Sequence, residues 1–205
     1  MVASGCIWIF GSSAVDFFVT SKIHWSETNH FPYDTFIWKG IDGTEIFTQF
    51  ITAADPDVKL GDDSKYSTYN AQILPIFLAK GWEIYQQKDI NNEILISFGY
   101  GDGGGGVTRE MLEIQRRMQY GIPGSPKTRV TTIADALHRM KKNVEGKKIP
   151  KWFGELYLEF HRGTYTSMSK NKRYNRLLEF LMQRLETVSL TDKILCGGTY
   201  PKKEF

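Results

Sequence analysis

Between residues 70 and 144 the spacing of apolar residues switches repeatedly between the helical and the strand period, which neither an all-α nor an all-β architecture satisfies. Residues 70–88 carry Ile73, Phe77, Trp82 and Tyr85 at roughly helical spacing. They run into 93–98, a short apolar run closed by Gly99. Residues 108–120 then predict a helix, with Thr108 as N-cap, Glu110 in the first turn and Met111, Leu112, Ile114 and Met118 as its apolar stripe. Residues 128–132 read as a strand and 133–144 as an amphipathic helix. Upstream, β-branched and aromatic runs at 6–10, 17–23, 35–38 and 45–51 predict four more strands. The expectation is an α/β fold with a mainly parallel sheet, whose chemistry sits on loops at the strand C-termini. After a basic connector containing Pro150 the character changes. Residues 169–189 predict a helix with Tyr174, Leu177, Leu178, Leu181, Leu185 and Val188 on one face, so a domain break is placed near residue 150, giving segments 1–150 and 151–205.

Composition removes several classes. With 41% hydrophobic and 14% aromatic residues, the 205-residue chain has ample material for a packed core. The 26 basic against 23 acidic side chains give a net charge of +3, too small to imply a nucleic-acid or membrane partner. Cys6 and Cys196, at opposite ends of the chain, form neither a disulfide framework nor a cysteine-based zinc site. Without an 18-residue apolar run or a signal-peptide pattern, the expectation is a soluble cytoplasmic protein.

The sharpest local signal is GYGDGGGG at 99–106, six glycines in eight positions between an expected strand and an expected helix. Such a segment suits positive φ or a close approach of backbone to a ligand. Phosphate cradling fits poorly: no Lys-Ser/Thr follows, the spacing is not GxGxxG, and Asp102 would repel an anion. Asp102 beside Tyr100 suits a carboxylate donating a proton to a neutral, hydroxyl-rich ligand, while a surface loop that happens to hold an acid is the plain alternative. A second signal is ELYLEFHRGTYTS at 155–167, where His161 could serve as a metal ligand or as an ordinary hydrogen-bonded histidine. His24, His30 and His138 show no ligand spacing. Asp42-Gly43 between two strand-like runs reads as a hairpin turn.

Three segments together resemble the α-mannosidases of glycoside hydrolase family 38: FVTSKIHW at 18–25 running on to FPYDTF at 31–36, the glycine segment with TREML at 108–112, and 154–167 with Asn171-Lys172-Arg173. The likeness runs from about Asp16 to the tail. It implies a partial (β/α) barrel-like domain followed by the start of a helical bundle, and a retaining, zinc-dependent hydrolase acting on mannose-containing oligosaccharides. By position it implies Asp102 as acid/base and His161 as a zinc ligand. Lys22, Tyr100, Arg162 and Tyr165 are implied as substrate-binding neighbours. Family members also carry a His-x-Asp pair of zinc ligands and a nucleophilic Asp ahead of the FVTSK segment. No histidine here is followed by Asp two positions on, and 1–15 holds no Asp. Asp16 matches the strand approach rather than the nucleophile. The chain is therefore expected to be an internal piece of a larger enzyme, inactive without the remainder of its parent. A non-catalytic carbohydrate-binding or structural domain is the alternative, and nucleotide binding a distant third.

Overall fold

The computed structural model describes residues 15–26, 28–54, 67–101, 105–157 and 169–202. Four strands form one mixed sheet in the order β1-β3-β2-β4, with β1 at Phe17–Thr20, β2 at Thr35–Lys39, β3 at Glu45–Phe50 and β4 at Lys151–Phe153. β1 runs parallel to β3 and β4 parallel to β2, but β2 and β3 are antiparallel. The mainly parallel expectation is corrected at that pair. A connection this short can join only antiparallel neighbours. Gly43 takes φ +90°, the Gly40 N–H donates to the Thr44 carbonyl at 2.8 Å, and Asp42 accepts from the Thr44 amide and hydroxyl.

Alternation along the strands divides the core between the two faces of the sheet. Phe36, Trp38, Ile46 and Phe50 pack on one face with Ile23 and Leu156, flanked by Phe18, Phe31 and Trp152. Phe47 packs on the other with Ile90, Met140 and Val144, joined by Phe17, Ile37 and Leu95. Fully burying each of the large rings contributes roughly 2–3 kcal/mol. The three residues of β4 escape a periodicity argument, yet the Trp38 indole donates to the Gly154 carbonyl at 2.8 Å and pins the chain just beyond that strand.

Three helices accompany the sheet: α1 at Pro75–Ile84, α2 at Arg109–Met118 and α3 at Ile133–Asn143. α1 is shorter than the 70–88 expected. Pro75 forces Leu74 into extended backbone and opens the helix. At the other end Tyr85 turns out of the helix to bury its ring. Thr108 caps α2 through its hydroxyl as expected, and Thr132, expected in a strand, caps α3 in the same way. The expected strands at 93–98 and 128–132 form no ladder. Residues 93–98 contribute a single bridge, Phe98 to Ala71, and Thr132 is committed to capping α3. The chain divides into two compact units, Met1–Phe160 and His161–Phe205. In the second, α4 spans Ser169–Cys196, buries none of its residues and is seven residues longer than the periodicity of 169–189 indicated. Among the described residues no helix is long and apolar enough to cross a membrane.

Candidate functional site

Lys22 stands two residues past the end of β1, after Ser21, and opens a single 3-10 turn, Lys22–His24. Its ammonium sits 4.8 Å from the Trp25 ring centroid and 5.3 Å from that of Tyr69. The two rings are themselves 6.3 Å apart. An exposed cation held against two half-buried aromatic rings is a surface that can stack on the apolar face of a neutral ring and donate to its hydroxyls. The Trp25 indole donates to the Ser67 carbonyl at 2.6 Å, which fixes the ring's orientation.

Behind this cluster lies a buried polar network that the sequence spacing did not reveal. His24 Nε2 lies 2.6 Å from Asp34 Oδ1, and Nδ1 lies 2.9 Å from Ser67 Oγ. The single hydroxyl hydrogen of Ser67 goes to the Ser21 carbonyl at 3.0 Å, so Ser67 Oγ accepts from the imidazole Nδ1–H, and Nε2 shares its hydrogen bond with the Asp34 carboxyl. Asp34 has no exposed surface; its Oδ2 accepts from the Gln86 amide at 2.8 Å, and its own amide donates to Gln87 Oε1. A second relay runs beside the first. Asn91 donates to the Tyr85 hydroxyl, Tyr85 to Thr35 and Thr35 to Gln49 Oε1 at 2.6 Å. Burial pushes the Tyr85 phenol above its ordinary range. A signal for the pair was present: an acid at 34 sits immediately ahead of an apolar strand, and a histidine follows Ile23. His24 and Asp34 belong to no common helix or strand, so only the fold brings the two together.

Tyr100 and the rim of the glycine segment are the described part of the sharpest sequence signal. Tyr100 and Gly106 exchange both backbone hydrogen bonds, at 2.7 and 2.8 Å, closing the segment into a narrow-necked loop. Glycine is required at that neck. A Cβ on Gly105 would fall 2.6 Å from the Tyr100 carbonyl oxygen, and Gly99, at φ +136°, would bring one to 3.0 Å from the Gly106 backbone. The Gly99 amide donates to Ala71, continuing the Ala71–Phe98 bridge. Phe98, just before the loop, and Val19, just before the Lys22 turn, pack on one small cluster of Ile51, Ala53 and Ala71.

Asp102 itself, with His161, Arg162 and Tyr165, lies outside the described residues. Among the described residues no three His, Cys, Asp or Glu side chains converge to hold a metal ion, so these residues by themselves form no zinc site. His138 is exposed and edge-on to Phe17 at 4.8 Å, which accounts for it without a ligand.

Two family patterns match the chain in succession: the glycosyl hydrolases family 38 N-terminal domain over residues 7–155, and the alpha mannosidase middle domain over 159–205. An alpha-mannosidase of Saccharomyces cerevisiae is 34% identical over 202 residues, covering 94% of this chain and 17% of the yeast protein. Alpha-mannosidase G of Dictyostelium discoideum is 36% identical over 188 residues, covering 90% of this chain and 16% of its own length. The chain therefore spans about a sixth of the length of these relatives.

Proposed function

The chain belongs to glycosyl hydrolase family 38, and on that premise we propose that it is part of a retaining, zinc-dependent α-mannosidase of the cytoplasm that removes α-linked mannose from glycans or oligosaccharides. In this reading the sheet and α1–α3 are a section of the barrel-like catalytic domain, and α4 opens the helical middle domain. Retention requires two carboxyl groups about 5–5.5 Å apart, one attacking the anomeric carbon and the other protonating the departing oxygen. Asp102 takes the second role. It gives its proton to the glycosidic oxygen as the bond breaks, then accepts one from the water that releases the sugar. The attacking carboxylate comes from the remainder of the parent enzyme. His161 is one zinc ligand, and the bound ion would polarise and hold sugar hydroxyls as a Lewis acid. Lys22, Tyr100, Arg162 and Tyr165 contact the sugar.

The observation that carries this reading is the neck at Tyr100 and Gly106. Its two backbone hydrogen bonds join the residues that flank Asp102 in the sequence, and the segment leading to it packs through Phe98 on the Ile51, Ala53 and Ala71 cluster. In the complete enzyme, Asp102→Asn is expected to lower turnover of an aryl α-mannoside by about 10²–10⁴, the range for losing a general acid. Unchanged turnover would remove Asp102 from the mechanism and favour a non-catalytic glycan-binding domain. His161→Ala should lower zinc content by elemental analysis, and full occupancy would contradict its role.

A further inference from the structure

The cluster of Lys22, Trp25 and Tyr69 has no rigidity of its own, because Lys22 is exposed and stands on a single 3-10 turn. What holds it is the buried line behind it. Asp34, anchored by the Gln86 amide, is hydrogen-bonded to His24 Nε2; His24 Nδ1 donates to Ser67 Oγ; and the carbonyl of the same Ser67 receives the Trp25 indole N–H. Ser67 also donates to Ser21, the residue preceding Lys22. The imidazole thus ties the turn that carries Lys22 to the strand-like residues that carry Tyr69, across 43 residues of sequence. We infer that His24 is a positioning residue: acting through Ser67, it holds Lys22, Trp25 and Tyr69 in the arrangement that binds a neutral sugar ring. The inference deepens the mannosidase reading and rests on it.

The two ring nitrogens separate a positioning role from plain packing. In His24→Gln the amide nitrogen falls near the place of Nε2 and keeps the Asp34 contact, whereas the link to Ser67 is lost. In His24→Asn the amide reaches the place of Nδ1 and keeps Ser67 at the expense of Asp34. One lost hydrogen-bond link corresponds to about a three- to tenfold change. In the complete enzyme, His24→Gln should raise KM for an aryl α-mannoside by about that factor with kcat within about twofold, and His24→Asn should restore KM. Ser67→Ala removes the same link from its other end, leaves the buried pair intact and should reproduce the KM effect, which protects the test against a misfolded His24 variant. Equal effects of Gln and Asn, or a fall in kcat with KM unchanged, would overturn the inference. The 205-residue chain supplies a readout independent of catalysis. Solvent exchange of the Trp25 indole N–H should quicken about three- to tenfold in His24→Gln and Ser67→Ala and stay near the parent rate in His24→Asn. Indole exchange that follows this order in an enzyme without mannosidase activity would refute the mannosidase reading alone. Exchange that ignores the order refutes the positioning role, whatever the activity.

Discussion

Asp34 is the residue whose loss the fold should feel most. It is fully buried, its carboxyl pairs with His24 at 2.6 Å and accepts from the Gln86 backbone amide, so Asp34→Ala leaves an imidazole and one amide without their partner, while the backbone N–H at 34 keeps its bond to Gln87. Leaving a buried donor or acceptor without its partner costs about 1–3 kcal/mol for each group, and chemical denaturation of Asp34→Ala should show a loss of about 2–5 kcal/mol for the two groups orphaned. A loss below about 1 kcal/mol would mean that water replaces the carboxylate easily. Gly105 poses the opposite case, an added atom: in Gly105→Ala the new methyl meets the Tyr100 carbonyl, and the strain should open the neck at a cost of about 1–3 kcal/mol. Faster amide exchange at Tyr100 and Gly106 is the measurement. Legibility at this scale was uneven. The glycine segment was visible because six glycines in eight positions have no packing explanation. The His24–Asp34–Ser67 line was not, because its members are 10 and 43 residues apart and nothing local links them.

Among elements, those written in local chemistry were readable. Asp42-Gly43 announced the β2–β3 hairpin and Thr108 the start of α2, whereas Thr132, which caps α3, sits at the end of a run with strand composition. Elements that depend on a partner edge were not. Residues 128–132 have strand composition but no ladder, whereas the three residues of β4 lack a readable period and still pair with β2. α2 carries a pH dependence of its own. Hydrogen bonds from Arg116 and then Arg117 hold the Glu113 carboxyl down at about 2, against an ordinary 4.5. The lowered value means that its support of the helix is complete above about pH 4.5 and fades as the pH falls towards about 2. Carboxyl NMR titration should place the Glu113 midpoint near that value at low salt and closer to 4.5 in high salt, since the pair is exposed. A midpoint of 4.5 at low salt would show that the arginines do not engage it.

At the scale of the molecule, the α/β class was legible because strand and helix periods alternate, and the lineage because long strings of residues match in order. Two of the sheet's three pairings are parallel as that class implies, and the hairpin at Asp42-Gly43 makes the third antiparallel. The account as a whole depends on Asp102 delivering a proton to a leaving oxygen. A general acid matters in proportion to how badly the leaving group needs the proton. The most direct test therefore compares Asp102→Asn with the parent enzyme on α-mannosides whose aryl leaving groups range from strongly acidic phenols to weakly acidic ones. The proposed mechanism predicts that glycosylation suffers little for the most acidic phenol and falls by about 10²–10⁴ for the least acidic. A loss that is the same across the series would contradict it, because an acid that donates no proton has no reason to distinguish one leaving group from another.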